Sequence, residues 1–195
     1  DGRRFENFRT GLDAFVRNMP ALHEWPDAYR NARGLHLMGN NSVPEFARLV
    51  TALRTSAPDQ VLVAEPSPEQ DHSRLADYAG LLPQLTVFSP DAHQAESLTG
   101  SDDPAAMVKV LLDAGAPRVA IRMGERGSLA GDQHGALHWI PAVPPKTIVD
   151  VTGAGNAYCG GLTVAFGEGC DLCEAALRAA VSATQAVATG TVQND

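Results

Sequence analysis

Residues 150–162, Asp-Val-Thr-Gly-Ala-Gly-Asn-Ala-Tyr-Cys-Gly-Gly-Leu, are the part of this chain best suited to chemistry. They read as a strand end, a tight Gly-Ala-Gly turn and a helix of small residues. Such a turn leaves the first N–H groups of the helix unpaired, where the positive end of the helix dipole favours an anion. Gly153, Ala154 and Gly155 carry minimal side chains, so a phosphate can approach the backbone closely. Asn156 stands at the mouth of the helix, where a base would act on a substrate hydroxyl. A carboxamide cannot take that proton. The segment has the form of a phosphoryl-transfer site with its base removed.

Two upstream segments bear on the same chemistry. Residues 89–100, Ser-Pro-Asp-Ala-His-Gln-Ala-Glu-Ser-Leu-Thr-Gly, read locally as a capped helix with Asp91 in its first turn. Residues 122–128, Arg-Met-Gly-Glu-Arg-Gly-Ser, read by themselves as a common G-x-x-G strand-end turn at Gly124 and Gly127. Arg122 is placed to reach a phosphate, with an exposed strand-end arginine as the equal alternative.

In their order and spacing, these three segments resemble the ribokinase/PfkB family of carbohydrate kinases. Asp150, Thr152, Gly153, Ala154 and Gly155 match the family's ATP-site signature, and Tyr158, Gly160 and Gly161 continue its helix. Val151 takes the place of a usual Thr, and Asn156 takes the place of the catalytic Asp. Asp91 and Gln94 occupy the Asn and Glu positions of an N-x-x-E element that helps organise magnesium and phosphate in relatives. The amide of Gln94 lacks the carboxylate that would organise a hard cation. Gly124 and Gly127 match a turn that lies along the nucleotide. Asp150 and Thr152 match positions that support a monovalent-cation site, K⁺ being the ion implied. The resemblance thus implies ATP and Mg²⁺ as cofactors and a sugar or nucleoside as acceptor. Free thiols fit a reducing, intracellular compartment, read as the cytoplasm, and a homodimer or larger complex is left open.

Composition bounds these expectations. At 195 residues and 44% hydrophobic content, the chain can bury one domain's core. A net charge of −8 with no basic run argues against a nucleic-acid or anionic-membrane surface. No apolar stretch approaches the roughly 18 residues of a spanning helix, and the N-terminal residues lack a signal-peptide pattern. Cys170-x-x-Cys173 has no second Cys/His pair at zinc-ligand spacing, so Cys159, Cys170 and Cys173 read as small packing residues. His36, His72, His93, His134 and His138 show no metal-ligand spacing and read mostly as solvated or core residues.

The elements that must position the site follow from short apolar runs alternating with helical periods. Strands are expected at Gly34–Gly39, Val61–Ala64, Thr86–Phe88, Arg118–Arg122 and Ile148–Asp150, with a hairpin at Leu129–Ala130 and Leu137–Ile140. Helices are expected after a cap at Asn41 or Ser42, through Leu75–Leu82, from Ser89 to Leu98, over Pro104–Ala114, Asn156–Phe166 and Leu172–Ala188. Two edge strands and a short helix at Pro26–Asn31 are expected before Gly34. This order predicts an α/β, ribokinase-like fold, a mainly parallel sheet with helices on both faces, incomplete at the N-terminus. Residues 1–33 read as a remnant of the N-terminal and lid region, and 34–195 as the nucleotide-binding core. The chain reads as a fragment of a larger one. Its ligand is expected where the loops after Phe88, Arg122 and Asp150 converge, beyond the carboxyl ends of the strands. Three functions fit: an ATP-dependent kinase impaired by Asn156, a silent relative serving as a binding module or structural subunit, and an unrelated α/β domain.

Overall fold

The computed structural model describes residues 22–38, 43–66 and 75–190. Residues 1–21, within the stretch before Pro26 where two edge strands are expected, the cap at Asn41 or Ser42 and the residues beyond Gly190 lie outside them. Among the described residues, six strands form one sheet in sequence order: β1 (Gly34–Met38), β2 (Val61–Glu65), β3 (Val87–Phe88), β4 (Arg118–Arg122), β5 (Ser128–Asp132) and β6 (Leu137–Ile140). β1 to β4 are parallel, and β5 and β6 complete the sheet as an antiparallel hairpin. The helices are α1 (Asp27–Arg30), α2 (Val43–Ser56), α3 (Ala92–Thr99), α4 (Pro104–Asp113), α5 (Ala154–Gly167) and α6 (Leu172–Thr189).

β3 and the interior positions of β2 and β4 are apolar because each face is covered, and the charged residues Glu65, Arg118 and Arg122 stand at strand ends. Alternate residues serve opposite cores. Leu62, Ala64, Val119 and Ile121 join the cluster under α2, α3 and α4, while Val63, Val87 and Ala120 join the cluster under α5 and α6. Small residues set the closeness of the second layer. A Cβ at Gly161 would lie 2.8 Å from the Ala179 Cα, so α5 and α6 approach backbone to backbone. A Cβ at Gly34 would lie 2.8 Å from Thr163 Cγ2, which brings the same face of β1 against α5.

Two expected elements are corrected. The helix through Leu75–Leu82 is instead two 3-10 turns, Leu75–Tyr78 and Leu82–Gln84. Pro83 cannot donate to a continuing helix, and it sits in the first turn of the second piece. Ile148–Asp150 forms no strand. The N–H groups of Val149 and Asp150 both donate to the Val187 carbonyl of α6, at 3.0 and 3.4 Å. The apolar side chains of Ile148, Val149 and Val151 are exposed, so an apolar run mistaken for a strand is a strap tied to a helix end.

Candidate active site

The carboxyl ends of β2 and β4 meet the N-terminus of α5. Pro90 accepts the Arg122 N–H at 3.0 Å, and Asp91 and Arg122 form an isolated parallel bridge, which joins the loops after β3 and β4. The Arg122 side chain extends to the third loop and lies against Gly155. The convergence expected from the sequence is therefore present.

At the turn itself, Gly153 is the N-cap of α5 with φ +85°, a left-handed conformation that side-chain-bearing residues rarely adopt. Ala157 N–H closes the first helical bond to the Gly153 carbonyl at 2.8 Å. The N–H groups of Gly155 and Asn156 have no backbone partner among the described residues. They are the donors an anion would meet. Asn156 is exposed at this mouth. The Asp150 carboxylate accepts the Thr152 N–H at 2.8 Å, which shapes the loop entering the turn.

Gly155 has a second reason to be glycine. A Cβ there would lie 2.2 Å from Arg122 Nη1, so the missing side chain leaves room for the guanidinium. Arg122 Nη2 donates to Glu65 Oε2 at 2.5 Å, and Glu65 Oε1 is bonded to His36 Nε2 at 2.9 Å. The side chains of Arg122 and Glu65 are only 12% and 7% exposed, so this ion pair is shielded from solvent. Arg122 Nε is buried with no hydrogen-bond partner among the described residues. The Cys159 thiol completes the cluster, with donor atoms of His36, Glu65 and Cys159 all within 4.8 Å of one another. Burial works against the His36 imidazolium, but hydrogen bonds to Cys159 and Glu65 outweigh it and raise its pKa to about 9. Burial likewise opposes the Glu65 carboxylate, yet His36 and Arg122 hold its pKa below the ordinary value.

His36 and Glu65 were not among the residues the sequence singled out. The available signal was a polar residue inside each of two apolar strands, which pattern alone also explains as a core histidine and a solvated strand end. His36 is a largely buried strand residue, and the structure adds its ion-pair partner, Glu65. Cys159 is fully buried as a packing residue, and no disulfide joins the three described cysteines.

Asp91 and Gln94 form a reciprocal capping box at α3. Asp91 Oδ1 accepts the Gln94 N–H at 2.8 Å, and Gln94 Oε1 accepts the Asp91 N–H at 2.9 Å. Gln94 Nε2 donates to the Pro66 carbonyl at 3.2 Å. The amide is thus committed on both sides, and it offers a cation neither charge nor a free oxygen of its own. Gly124 and Gly127 flank a 3-10 turn with φ +59° and +88°. The Gly127 N–H donates to the Gly124 carbonyl at 3.0 Å, so it is held within the turn. Tyr158, on the first turns of α5, bonds Ser128 Oγ at 2.8 Å, and burial pushes its pKa up to about 12.

Comparison with known proteins agrees with this architecture. The model of the pfkB family of carbohydrate kinases matches residues 16–195. The chain is 27% identical over 147 residues to a cytidine kinase of Thermococcus kodakarensis, covering 74% of this chain and 51% of that protein. It is 31% identical over 80 residues to a fructoselysine 6-kinase of Escherichia coli, covering 41% of this chain and 30% of that protein. The fold superposes on Arabidopsis thaliana ribokinase, solved with ribose and ATP, with a TM-score of 0.69 at 23% identity, over 81% of this chain and 50% of that one. A mainly parallel six-stranded sheet covered by helices, with a glycine turn at the N-terminus of α5, defines a ribokinase-like α/β protein. The chain belongs to the pfkB family of carbohydrate kinases. It spans about half the length of the cytidine kinase it matches.

Proposed function

We propose that this site transfers a phosphoryl group from ATP to a hydroxyl of a sugar or nucleoside, and that Asn156 makes the transfer slow. The observation that carries the reading is the Gly153–Gly155 turn, whose unpaired N–H groups open beside the Arg122 guanidinium. Such donors stabilise charge that develops on the transferring group. The acceptor class follows from relatives whose names are those of a cytidine kinase and a fructoselysine kinase. Loss of a general base costs about 10²–10⁴-fold, while positioning and electrostatic stabilisation remain. ATP would lie along Gly124, Gly127 and Arg122. Asp150 and Thr152 supply hard oxygen donors for a monovalent cation such as K⁺. Gln94 does not fit Mg²⁺, because its amide is already committed to Asp91 and Pro66. We place the protein in the cytoplasm, and among the described residues no helix is long and apolar enough to cross a membrane.

A second reading has its own support. Asn156 and Gln94 both carry amides where the family carries carboxylates, which preserves packing and removes charge. That pattern suits a silent nucleotide- or sugar-binding module or a structural subunit of a complex. Calorimetry with ATP–Mg²⁺ on the full-length protein, followed by phosphotransfer to a panel of sugars and nucleosides, separates the two. The kinase reading expects measurable transfer that rises in Asn156→Asp by about tenfold or more. ATP binding with no transfer in either form would establish the silent module. Wild-type transfer equal to that of Asn156→Asp would refute the missing-base reading.

A further inference from the structure

We infer that Glu65 and His36 are positioning residues for a phosphate-binding arginine, and that with Gly155 they hold the Arg122 guanidinium at the anion turn. This rests on reading that turn as the phosphate site. An arginine at a strand end is long and free to rotate, so a fixed orientation needs a fixed partner. Glu65 is that partner, from the end of β2, which is separated from β4 in the sheet by the short strand β3. Both of its oxygens are engaged, Oε2 by Arg122 and Oε1 by His36, so the carboxylate cannot turn away. A buried carboxylate left unpaired is strongly unfavourable, which keeps this arrangement closed.

The direction is set from the other side. Arg122 Nη1 occupies the space a Cβ at position 155 would fill, next to the unpaired N–H groups of Gly155 and Asn156. Nη2 is used by Glu65, which leaves the Nη1 edge of a planar, permanently charged donor facing the site. The ligand that fits is a phosphoryl oxygen, bound by backbone donors and one guanidinium edge together. The groups facing Arg122 come from every element around it: Glu65 of β2, His36 of β1 behind it, the Cys159 thiol of α5 and Asp91 at the start of α3. His36, Glu65 and Cys159 could suggest a metal centre. Both Glu65 oxygens are already bonded, however, and the adjacent guanidinium repels a cation.

The test compares ATP with adenosine, which lacks the phosphates, by calorimetry on the full-length protein. Glu65→Gln and Gly155→Ala are each expected to weaken ATP by about tenfold while adenosine changes by less than about twofold. In an Arg122→Gln background, Glu65→Gln is expected to add nothing further, because Glu65 acts through Arg122. His36→Gln, which keeps an N–H donor near the position of Nε2, is expected to be milder than His36→Leu. Additive losses in the Arg122→Gln background, or equal losses for ATP and adenosine, would overturn the inference. So would stoichiometric zinc on the wild-type protein that disappears in Cys159→Ala. Should Glu65→Gln fail to fold, Gly155→Ala changes no charge and carries the same comparison. ATP binding that survives Gly153→Val overturns the phosphate site itself. Binding that is lost in Gly153→Val but unchanged in Glu65→Gln and Gly155→Ala overturns the positioning role alone.

Discussion

Asparagine at position 156 keeps the volume of an aspartate and removes its charge, and glutamine at position 94 does the same for a glutamate. The two amides differ in how reversible they are. Asn156 is exposed at the helix mouth, so a carboxylate there meets solvent and the positive end of α5. Gln94 Nε2 donates to the Pro66 carbonyl, and a glutamate would set an oxygen against that carbonyl instead. Gln94→Glu is expected to destabilise the protein by about 1 kcal/mol, measured by urea unfolding, even though its capping-box oxygen survives. No change or a gain would show that the Pro66 contact is dispensable. Tyr158→Phe provides a second residue-scale measurement. It removes the partner of the buried Ser128 hydroxyl, and unfolding experiments should show a loss of about 1–2 kcal/mol.

At the scale of elements, caps and turns decide where the site-bearing loops begin. Asp103 accepts the N–H groups of Ala105 and Ala106 at the start of α4, with Pro104 in the first turn. Asp103→Ala should cost about 1 kcal/mol in chemical denaturation, because it removes the acceptor for both N–H groups. Gly127 carries a heavier constraint. Its φ is +88°, and a Cβ would lie 2.0 Å from the Ile140 carbonyl of β6. Gly127→Ala must displace β6 or the turn after β4, and a loss of at least about 2 kcal/mol is expected. A variant of wild-type stability would mean that the hairpin yields freely. These constraints were partly visible in the sequence. Pro104 opens an expected helix, and Gly124 and Gly127 mark an expected turn. The backbone of β6 as the reason for Gly127 was not visible, because β6 lies beyond the turn and its approach depends on hairpin register.

For the molecule as a whole, the His36–Glu65–Arg122 cluster ties β1, β2 and β4 together and makes stability depend on pH. The His36 pKa rises from 6.5 to about 9 on folding, so its contribution is full below 6.5 and is lost as pH rises through about 9. The Glu65 pKa falls below its ordinary 4.5, so its contribution is full above that value and is lost as pH falls through the depressed pKa. The difference in Tm between wild type and His36→Gln is therefore expected to be largest between pH 4.5 and 6.5 and to shrink above pH 9. A difference that persists unchanged at pH 10 would show that the pair contributes nothing through its charge. By itself, the sequence determined the α/β class, most of the strands and helices, the glycine turn before α5 and the amide at its mouth. Those features are local: apolar runs, caps and glycines act over a few residues, and the turn's donors belong to consecutive backbone groups. Tertiary structure alone decided that Glu65, His36 and Cys159 surround Arg122, that Gly155 makes room for a guanidinium, and that residues 148–150 lie along α6. Those outcomes depend on which strands become neighbours and how closely a helix can approach them, which no local pattern encodes.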